Sequence, residues 1–287
     1  MTRDLGGLIG VVTGGGDGIG RALVMELAKQ GMHMAILDIR KAAAEETAEA
    51  CRDLGVRSLA ASCDVSVCSE IEAAAERVRA ELGPVNLIWG NAGLGIAEGI
   101  TTAKREALRW MYAVNVDGLI DTVRAFVPQM KAQDGWRWVG ITGSMAGLVQ
   151  ISDGGPTAYG ATKYAGVGIA EALRAELAPN GIGVTLICPG TVNTRIWDGR
   201  RARPDRFGGP QRAPEAAGER WRTIGMDVDE VAAVAIDGLR AGAFYVVTPE
   251  GPEREAMIGE RAARLREGVR MTPTRPGASR EPRWSGQ

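Results

Sequence analysis

Residues 8–30 read Leu-Ile-Gly-Val-Val-Thr-Gly-Gly-Gly-Asp-Gly-Ile-Gly-Arg-Ala-Leu-Val-Met-Glu-Leu-Ala-Lys-Gln, and the architecture of the chain follows from them. The apolar run Leu8 to Thr13 predicts a buried strand, Gly14 to Gly20 a tight turn, and the amphipathic run Arg21 to Gln30 a helix. Strand, glycine-rich turn and helix in that order form a dinucleotide cradle. Glycines let the backbone approach a pyrophosphate, which rests on the helix N-terminus. The spacing Gly14-x-x-x-Gly18-x-Gly20 differs from the Gly-x-Gly-x-x-Gly fingerprint, so a plain strand-to-helix turn is the alternative. A second strand, His33 to Leu37, ends at Asp38, 18 positions past Gly20, where such folds place the carboxylate that binds the adenosine ribose hydroxyls. Its other reading is a cap for the helix that starts near Lys41. Asp38 together with Asp17 in the turn would repel a 2′-phosphate, which favours NAD over NADP, although Arg21, Arg40 and Lys41 are close in sequence.

The alternation continues. A strand around Ser58 to Cys63 ends at Asp64-Val65; a helix covers Glu70 to Leu82; a strand, Val85 to Trp89, leads into Asn91-Ala-Gly93. A long helical region, Thr102 to Gln133, contains Asn115, and the strand Trp138 to Thr142 follows. After the helix that carries Tyr159, the strand Gly183 to Cys188 runs into Pro189-Gly190-Thr-Val-Asn-Thr194. Strands alternating with helices imply an α/β fold: one domain, residues 1–270, with a doubly wound, Rossmann-type parallel sheet and helices on both faces. Ligands bind at the carboxyl edge of such a sheet, where Gly14, Asp38, Asp64, Asn91, Ser144 and Pro189 would lie.

Composition narrows the partners. The 287 residues include 34 basic and 35 acidic ones, so no global field favours nucleic acid or an anionic membrane, and a small-molecule partner is expected. Cys51, Cys63, Cys68 and Cys188 form no Cys-x-x-Cys and read as reduced thiols of a cytoplasmic protein. Neither a signal-peptide pattern nor an apolar run of membrane-spanning length is found. The one histidine, His33, opens a strand, which leaves little for a Ser-His-Asp triad or a His-rich metal site, and no metal is expected. Gly143-Ser144-Met-Ala-Gly147 is no nucleophile elbow, because threonine stands at 142 where Gly-x-Ser-x-Gly needs glycine.

Chemistry without histidine is available further along. Ser144 closes a strand, Pro156 marks a helix start, and Tyr159 and Lys163 fall four residues apart on one helix face. An ammonium near a phenol favours the phenolate, and lowering a tyrosine pKa by about three takes ~4 kcal/mol. The phenolate can remove an alcohol proton, and the phenol can return one to a carbonyl. Ser144 would hydrogen-bond the same oxygen. Taken alone, the pair reads first as a surface helix contact worth a few tenths of a kcal/mol, and the chemical reading comes second to it.

Thr13-Gly-x-x-x-Gly-Ile-Gly20, Asp64, Asn91-Ala-Gly93, Asn115, Ser144, Tyr159-x-x-x-Lys163 and Pro189-Gly190 together resemble the short-chain dehydrogenase/reductase family, in the family's order, over residues 8–250. The resemblance implies that Tyr159 is the general acid/base, that Lys163 lowers its pKa and binds the nicotinamide ribose, and that Ser144 orients the substrate oxygen. It implies that Asn115 holds a water in the relay toward Lys163; otherwise Asn115 is an ordinary helix-interior polar residue. It further places Gly14, Asp17, Gly18, Ile19 and Gly20 at the phosphates, Asp64 and Val65 at the adenine, Asn91, Ala92 and Gly93 on the adenosine side, and Pro189, Gly190, Val192 and Thr194 at the nicotinamide. Homodimers or homotetramers are usual in the family. Two departures stand out: Gly90 replaces the family's first asparagine, and the loop from Ser144 to Tyr159, with Asp153-Gly-Gly-Pro156, is slightly long.

Residues 195–226 lose periodicity and read as a substrate lid: Arg195, Arg200, Arg201, Arg203, Arg206, Arg212, Arg220 and Arg222 mix with acidic residues, prolines, Trp197, Phe207 and Trp221. The arginines read as a solvated basic loop or as an anion site. Helix Asp229 to Arg240, strand Phe244 to Val247, helix Glu253 to Arg266 and a disordered tail over 271–287 complete the chain. Arg201-Ala-Arg-Pro204, Gly208 and Phe244-Tyr-Val-Val-Thr-Pro-Glu250 resemble family members related to bacterial Cα-dehydrogenases, which oxidise benzylic alcohols in lignin-derived aryl ethers. That implies a bulky secondary alcohol, aromatic or not, with Trp197, Trp221 and Met145 as candidate walls, core packing being their alternative. The expected activity is NAD-dependent interconversion of a secondary alcohol and its ketone. The rivals are an NADP-dependent carbonyl reductase and a dinucleotide-binding sensor without turnover.

Overall fold

Seven strands, β1 (Ile9–Thr13), β2 (His33–Asp38), β3 (Ser58–Ser62), β4 (Leu87–Gly90), β5 (Arg137–Thr142), β6 (Ile182–Pro189) and β7 (Tyr245–Thr248), form one sheet in the order β3-β2-β1-β4-β5-β6-β7, every pairing parallel. The computed structural model describes residues 4–150, 156–211 and 223–271. The β-branched and aliphatic runs explain the strands. All five residues of β1 are buried, as expected of a strand covered on both faces. The helices between strands are α1 (Gly18–Lys29), α2 (Lys41–Asp53), α3 (Cys68–Glu81), α4 (Arg105–Tyr112), α5 (Gly118–Lys131), the short α6 (Met145–Leu148), α7 (Thr157–Leu177) and α8 (Val228–Arg240). Helix α1 packs against α2 and α8, and α3 packs against α5; α4 and α6 pack against α7.

The chain divides into two compact units, Met1–Pro249 and Glu250–Gln287. The first holds the whole sheet as a single doubly wound domain. The second contributes one described helix, α9 (Pro252–Met271), longer than the run to Arg266 that the sequence predicts. The expected tail beyond residue 271 lies outside the described residues. Among the described residues, no helix is long and apolar enough to cross a membrane.

Two local departures from the sequence reading bear on function. The long helical region is two helices joined by a π-type turn, Ala113–Asp117, with Asn115 at its centre. The expected lid, where described, folds into two short 3₁₀ segments, Ile196–Ala202 and Asp205–Phe207. Because β1 lies between β2 and β4, the chain leaves β1 and β4 toward opposite faces. A crevice therefore opens beyond Thr13 and Gly90, the switch point at which such sheets take ligands.

Candidate active site

The turn after β1 has the properties a pyrophosphate cradle needs. Gly14 and Gly18 adopt φ of 64° and 51°, where side chains are strained. A Cβ on Gly20 would collide with the Gly14 carbonyl and the Asn91 amide, so helix α1 can start only this close to β1 with glycine there. Asp17 caps α1, accepting from the Gly18 N–H at 2.8 Å. Burial acts to raise its pKa, but hydrogen bonds from Arg195 and Gly18 and the charges of Arg195 and Arg40 outweigh it and hold Asp17 below its ordinary value. Arg195 Nε lies 2.9 Å from Asp17 Oδ2, and Arg195 Nη2 also donates there.

Asp38 is buried at the end of β2. Its Oδ2 accepts from the Gly16 N–H at 3.0 Å and its Oδ1 from the Arg40 N–H at 2.9 Å. It does not cap α2, whose N-cap position is Arg40. The Arg40 guanidinium stands between carboxylates, Nε 3.6 Å from Asp38 and Nη2 3.2 Å from Asp17. Lys41 pairs with Glu45 at 3.6 Å, and Arg21 lines a cleft of ≈ 210 Å³ with Asp17, Thr194 and Arg195. Of the three basic residues near the turn, Arg40 is thus held by two anions and Lys41 by one. A turn open to backbone approach, a helix start and a buried carboxylate at the next strand end together fit a dinucleotide.

Ser144, Tyr159 and Lys163 come together at the ends of β5 and α7. Ser144 caps α6, its Oγ accepting from the Ala146 N–H at 3.1 Å. Tyr159 and Lys163 are 7% and 6% exposed, which rules out the surface-pair reading. The Lys163 ammonium lies 5.6 Å from the Tyr159 ring centroid and donates to the Thr142 carbonyl at 3.0 Å. Burial pushes Tyr159 up to about 12, and a hydrogen bond with Ser144 pulls it back only in part. Burial also pushes Lys163 down to about 8, against a weak opposing pull from Cys188. The expected lowering of Tyr159 by the ammonium is not found: burial raises the phenol, and the opposing pull comes from Ser144. Lys163 sits beside Gly93, 3.6 Å from where a Cβ there would stand, and the neighbouring Ala92 touches Gly14, so this cluster adjoins the glycine turn.

Asn115 is no ordinary helix-interior residue. Its Oδ1 accepts from the Leu94 N–H at 2.9 Å, and its Nδ2 donates to the Leu94 carbonyl and to Thr162 Oγ1, each at 2.9 Å. Thr162 in turn donates to the Tyr159 carbonyl at 2.8 Å. The π-type turn thereby ties the helix of Tyr159 to the loop after β4. Such turns leave irregular backbone at functional sites, and no sequence pattern marks them.

Asp64 lies where expected, after β3, but its carboxylate is committed: Oδ1 accepts from the Ser66 N–H and hydroxyl, at 3.0 and 2.6 Å, and Oδ2 from Arg206 at 2.6 Å. Val65 is buried and would contact any side chain at Gly118. On the other side, the Gly190 N–H donates to the Thr248 carbonyl at 2.6 Å, Val192 bridges to Met226, and Thr194 faces Gly18. Pro189 ends β6. Trp197 meets Tyr159 edge to face, centroids 5.4 Å apart, and Met145 is fully buried next to Ser144.

Of the described arginines of this segment, Arg195, Arg201 and Arg206 are solvent-exposed, as a charged loop would be, yet four of the segment's arginines are tied to partners. Arg195 binds Asp17, Arg200 binds Glu98, Arg206 binds Asp64, and the buried Arg203 donates to the Gly209 carbonyl at 2.8 Å. Arg212, Arg220, Trp221, Arg222 and the loop residues 151–155 lie outside the described residues. The sequence gives Glu98, Trp89 and Thr142 no role in the site, since their partners lie far along the chain.

The family model for short chain dehydrogenases matches residues 9–205. "Probable oxidoreductase EphD" of Mycobacterium tuberculosis is 34% identical over 185 residues, 64% of this chain but 31% of that protein. "Epidermal retinol dehydrogenase 2" of Homo sapiens is 32% identical over 201 residues, 69% of this chain and 64% of that one. The chain thus spans about a third of the first relative and just under two thirds of the second. Among solved structures, a short chain dehydrogenase/reductase from Burkholderia phymatum in complex with NAD superposes with a TM-score of 0.84 at 28% identity, over 96% of this chain and 99% of that one.

Proposed function

We propose, from the premise that this chain belongs to the short-chain dehydrogenase family, that it is an NAD-dependent oxidoreductase interconverting a secondary alcohol and its ketone. The observation that carries this reading is the convergence of Ser144, Tyr159 and Lys163 beside the glycine turn, in a buried setting that gives each a chemical task.

Gly14, Asp17, Gly18, Ile19 and Gly20 would hold the pyrophosphate, Asp38 the adenosine ribose, and Val65 with Asn91, Ala92 and Gly93 the adenine side. Pro189, Gly190, Val192 and Thr194 would seat the nicotinamide, with Tyr159 and Lys163 at its ribose. When bound, the nicotinamide supplies hydride transfer; the protein supplies placement and proton transfer. Ser144 holds the substrate oxygen against the Tyr159 hydroxyl, which donates a proton to a carbonyl or takes one from an alcohol. Tyr159 alone, near 12, is an acid at neutral pH. Lys163, near 8, is the member of the pair that changes charge just above neutrality; its neutral form, the minority at pH 7, can take the proton that Tyr159 passes on as it receives the alcohol proton. Asn115, through Thr162, holds the backbone of Tyr159 in place.

NAD is favoured because Asp38 puts a buried carboxylate at the end of β2 and because the nearby Arg40 is already shared by two carboxylates, Asp38 and Asp17. The Burkholderia phymatum structure holds NAD and a short-chain dehydrogenase from Sphingobium yanoikuyae holds NADPH, so the support for NAD is the carboxylate pairing at Asp38. Trp197, set edge-on to Tyr159, supports a bulky or aromatic substrate.

Tyr159→Phe tests the reading. Alcohol oxidation across a panel of secondary alcohols, followed by absorbance of the reduced nicotinamide, should fall by about 10²–10⁴-fold while NADH still binds. Undiminished oxidation by the variant would remove Tyr159 as the acid/base, and NADH binding without turnover of any alcohol or ketone by the wild type would favour a sensor.

A further inference from the structure

Gly90 departs from the asparagine that the family resemblance leads one to expect, and a Cβ there would press on the tip of the Leu119 side chain, which would have to shift. The preceding residue supplies a polar group instead. Trp89 is fully buried, and its indole lies across Gly140, its register partner on β5, where a Cβ would collide with the ring. Trp89 Nε1 donates to Thr142 Oγ1 at 3.0 Å, and Thr142 Oγ1 donates to Asn91 Oδ1 at 3.0 Å. Asn91 Nδ2 donates to the carbonyls of Thr13 and Gly14 at 3.1 and 3.3 Å. Thr13 Oγ1 donates to the Trp89 carbonyl at 3.4 Å and accepts from the N–H groups of Asn91 and Ala92 at 3.0 and 3.1 Å.

The circuit is closed and every donor in it is used. Its polarity begins at the indole, which can only donate. Thr142 must therefore accept from Trp89 and spend its single proton on Asn91 Oδ1, which leaves the Asn91 amide facing the Thr13 and Gly14 carbonyls. The same Thr142 offers its carbonyl to Lys163 Nζ. One indole N–H thus stands upstream of both the glycine turn and the seat of the ammonium.

We infer that Trp89 is a positioning residue of this site: acting through Thr142 and Asn91, its N–H orients the Gly14 turn for the dinucleotide and holds the backbone on which Lys163 rests. The inference rests on the proposed function for what the site binds, not for the circuit itself.

Thr142→Val removes the hydroxyl at nearly constant volume, Thr142→Ser keeps it, and Trp89→Phe removes the N–H. NADH binding is measured by calorimetry and stability by thermal melting, with Leu239→Ala, a core truncation in α8 away from the circuit, as the stability control. Thr142→Val and Trp89→Phe should each weaken NADH binding by about tenfold, the worth of one net hydrogen bond. The double variant should be no weaker than Thr142→Val alone, and Thr142→Ser should stay within about twofold of wild type. Leu239→Ala should lower the melting temperature without changing NADH affinity. If Trp89→Phe does not fold, the Thr142 pair decides. Unchanged NADH affinity in Thr142→Val, or additive losses in the double variant, would overturn the inference. A wild type that binds NADH without turning over any alcohol or ketone would end the catalytic reading and leave this comparison standing, whereas one that binds no NADH would end both.

Discussion

Lys163→Met should stabilise the fold while ending turnover. The ammonium is 6% exposed and rests on the Thr142 carbonyl and beside the Tyr159 ring. Burial takes it from its ordinary 10.5 down to about 8. At ~1.4 kcal/mol per tenfold, holding the charged form at pH 7 costs roughly 3 kcal/mol. The sign follows from linkage. Between pH 8 and 10.5 the unfolded chain keeps a proton that the folded one has lost, so wild-type stability rises through that window, and the penalty is full only below it. Methionine keeps the apolar stem and removes the charge. Losing the hydrogen bond to Thr142 returns about 1 kcal/mol, leaving the variant about 2 kcal/mol more stable at pH 7. For a chain of this size that is about 4–8 °C in melting temperature. The assay is thermal melting of both proteins at pH 7 and at pH 10. Tyr159, raised to about 12, favours the folded state less as pH climbs above 10, but equally in both proteins. A variant that melts at or below wild type at pH 7, or an advantage that does not shrink toward pH 10, would refute the claim that this lysine is held charged against its surroundings.

Asp38→Ala should narrow the ratio of kcat/KM with NAD to that with NADP, because it removes the buried anion and frees Arg40 from one of its two carboxylates. Steady-state kinetics with both nucleotides measures it, and equal efficiency in the wild type would defeat the assignment. Gly20→Ala should weaken NADH binding and lower stability by about 1–3 kcal/mol, since the added methyl displaces the Gly14 carbonyl or the Asn91 amide. An NADH titration and a denaturant melt indistinguishable from wild type would show that the turn is looser than the structure implies.

What could be read from the sequence was what neighbours along the chain decide. The strand of Leu8 to Thr13, the turn at Gly14 to Gly20 and the helix after it each follow from residues within a few positions of one another, and so do the four-residue spacing of Tyr159 and Lys163 and the carboxylate closing β2. The electrostatics of the site obey no such rule. Arg195 is 178 residues from Asp17 and Arg206 is 142 residues from Asp64, so the basic run after Thr194 reads as a charged loop or an anion site until the fold brings its partners to it. Likewise, Lys163 and Tyr159 were rightly placed on one helix face, yet the direction of the tyrosine shift depends on burial, which spacing does not report. The pairings also account for the composition of residues 195–206. The loops after β1, β3 and β4 carry Asp17, Asp64 and Glu98, and unpaired negative charge near a diphosphate would oppose it. Arg195, Arg206 and Arg200 place one guanidinium on each, so the segment that the sequence reads as a lid also neutralises these three carboxylates.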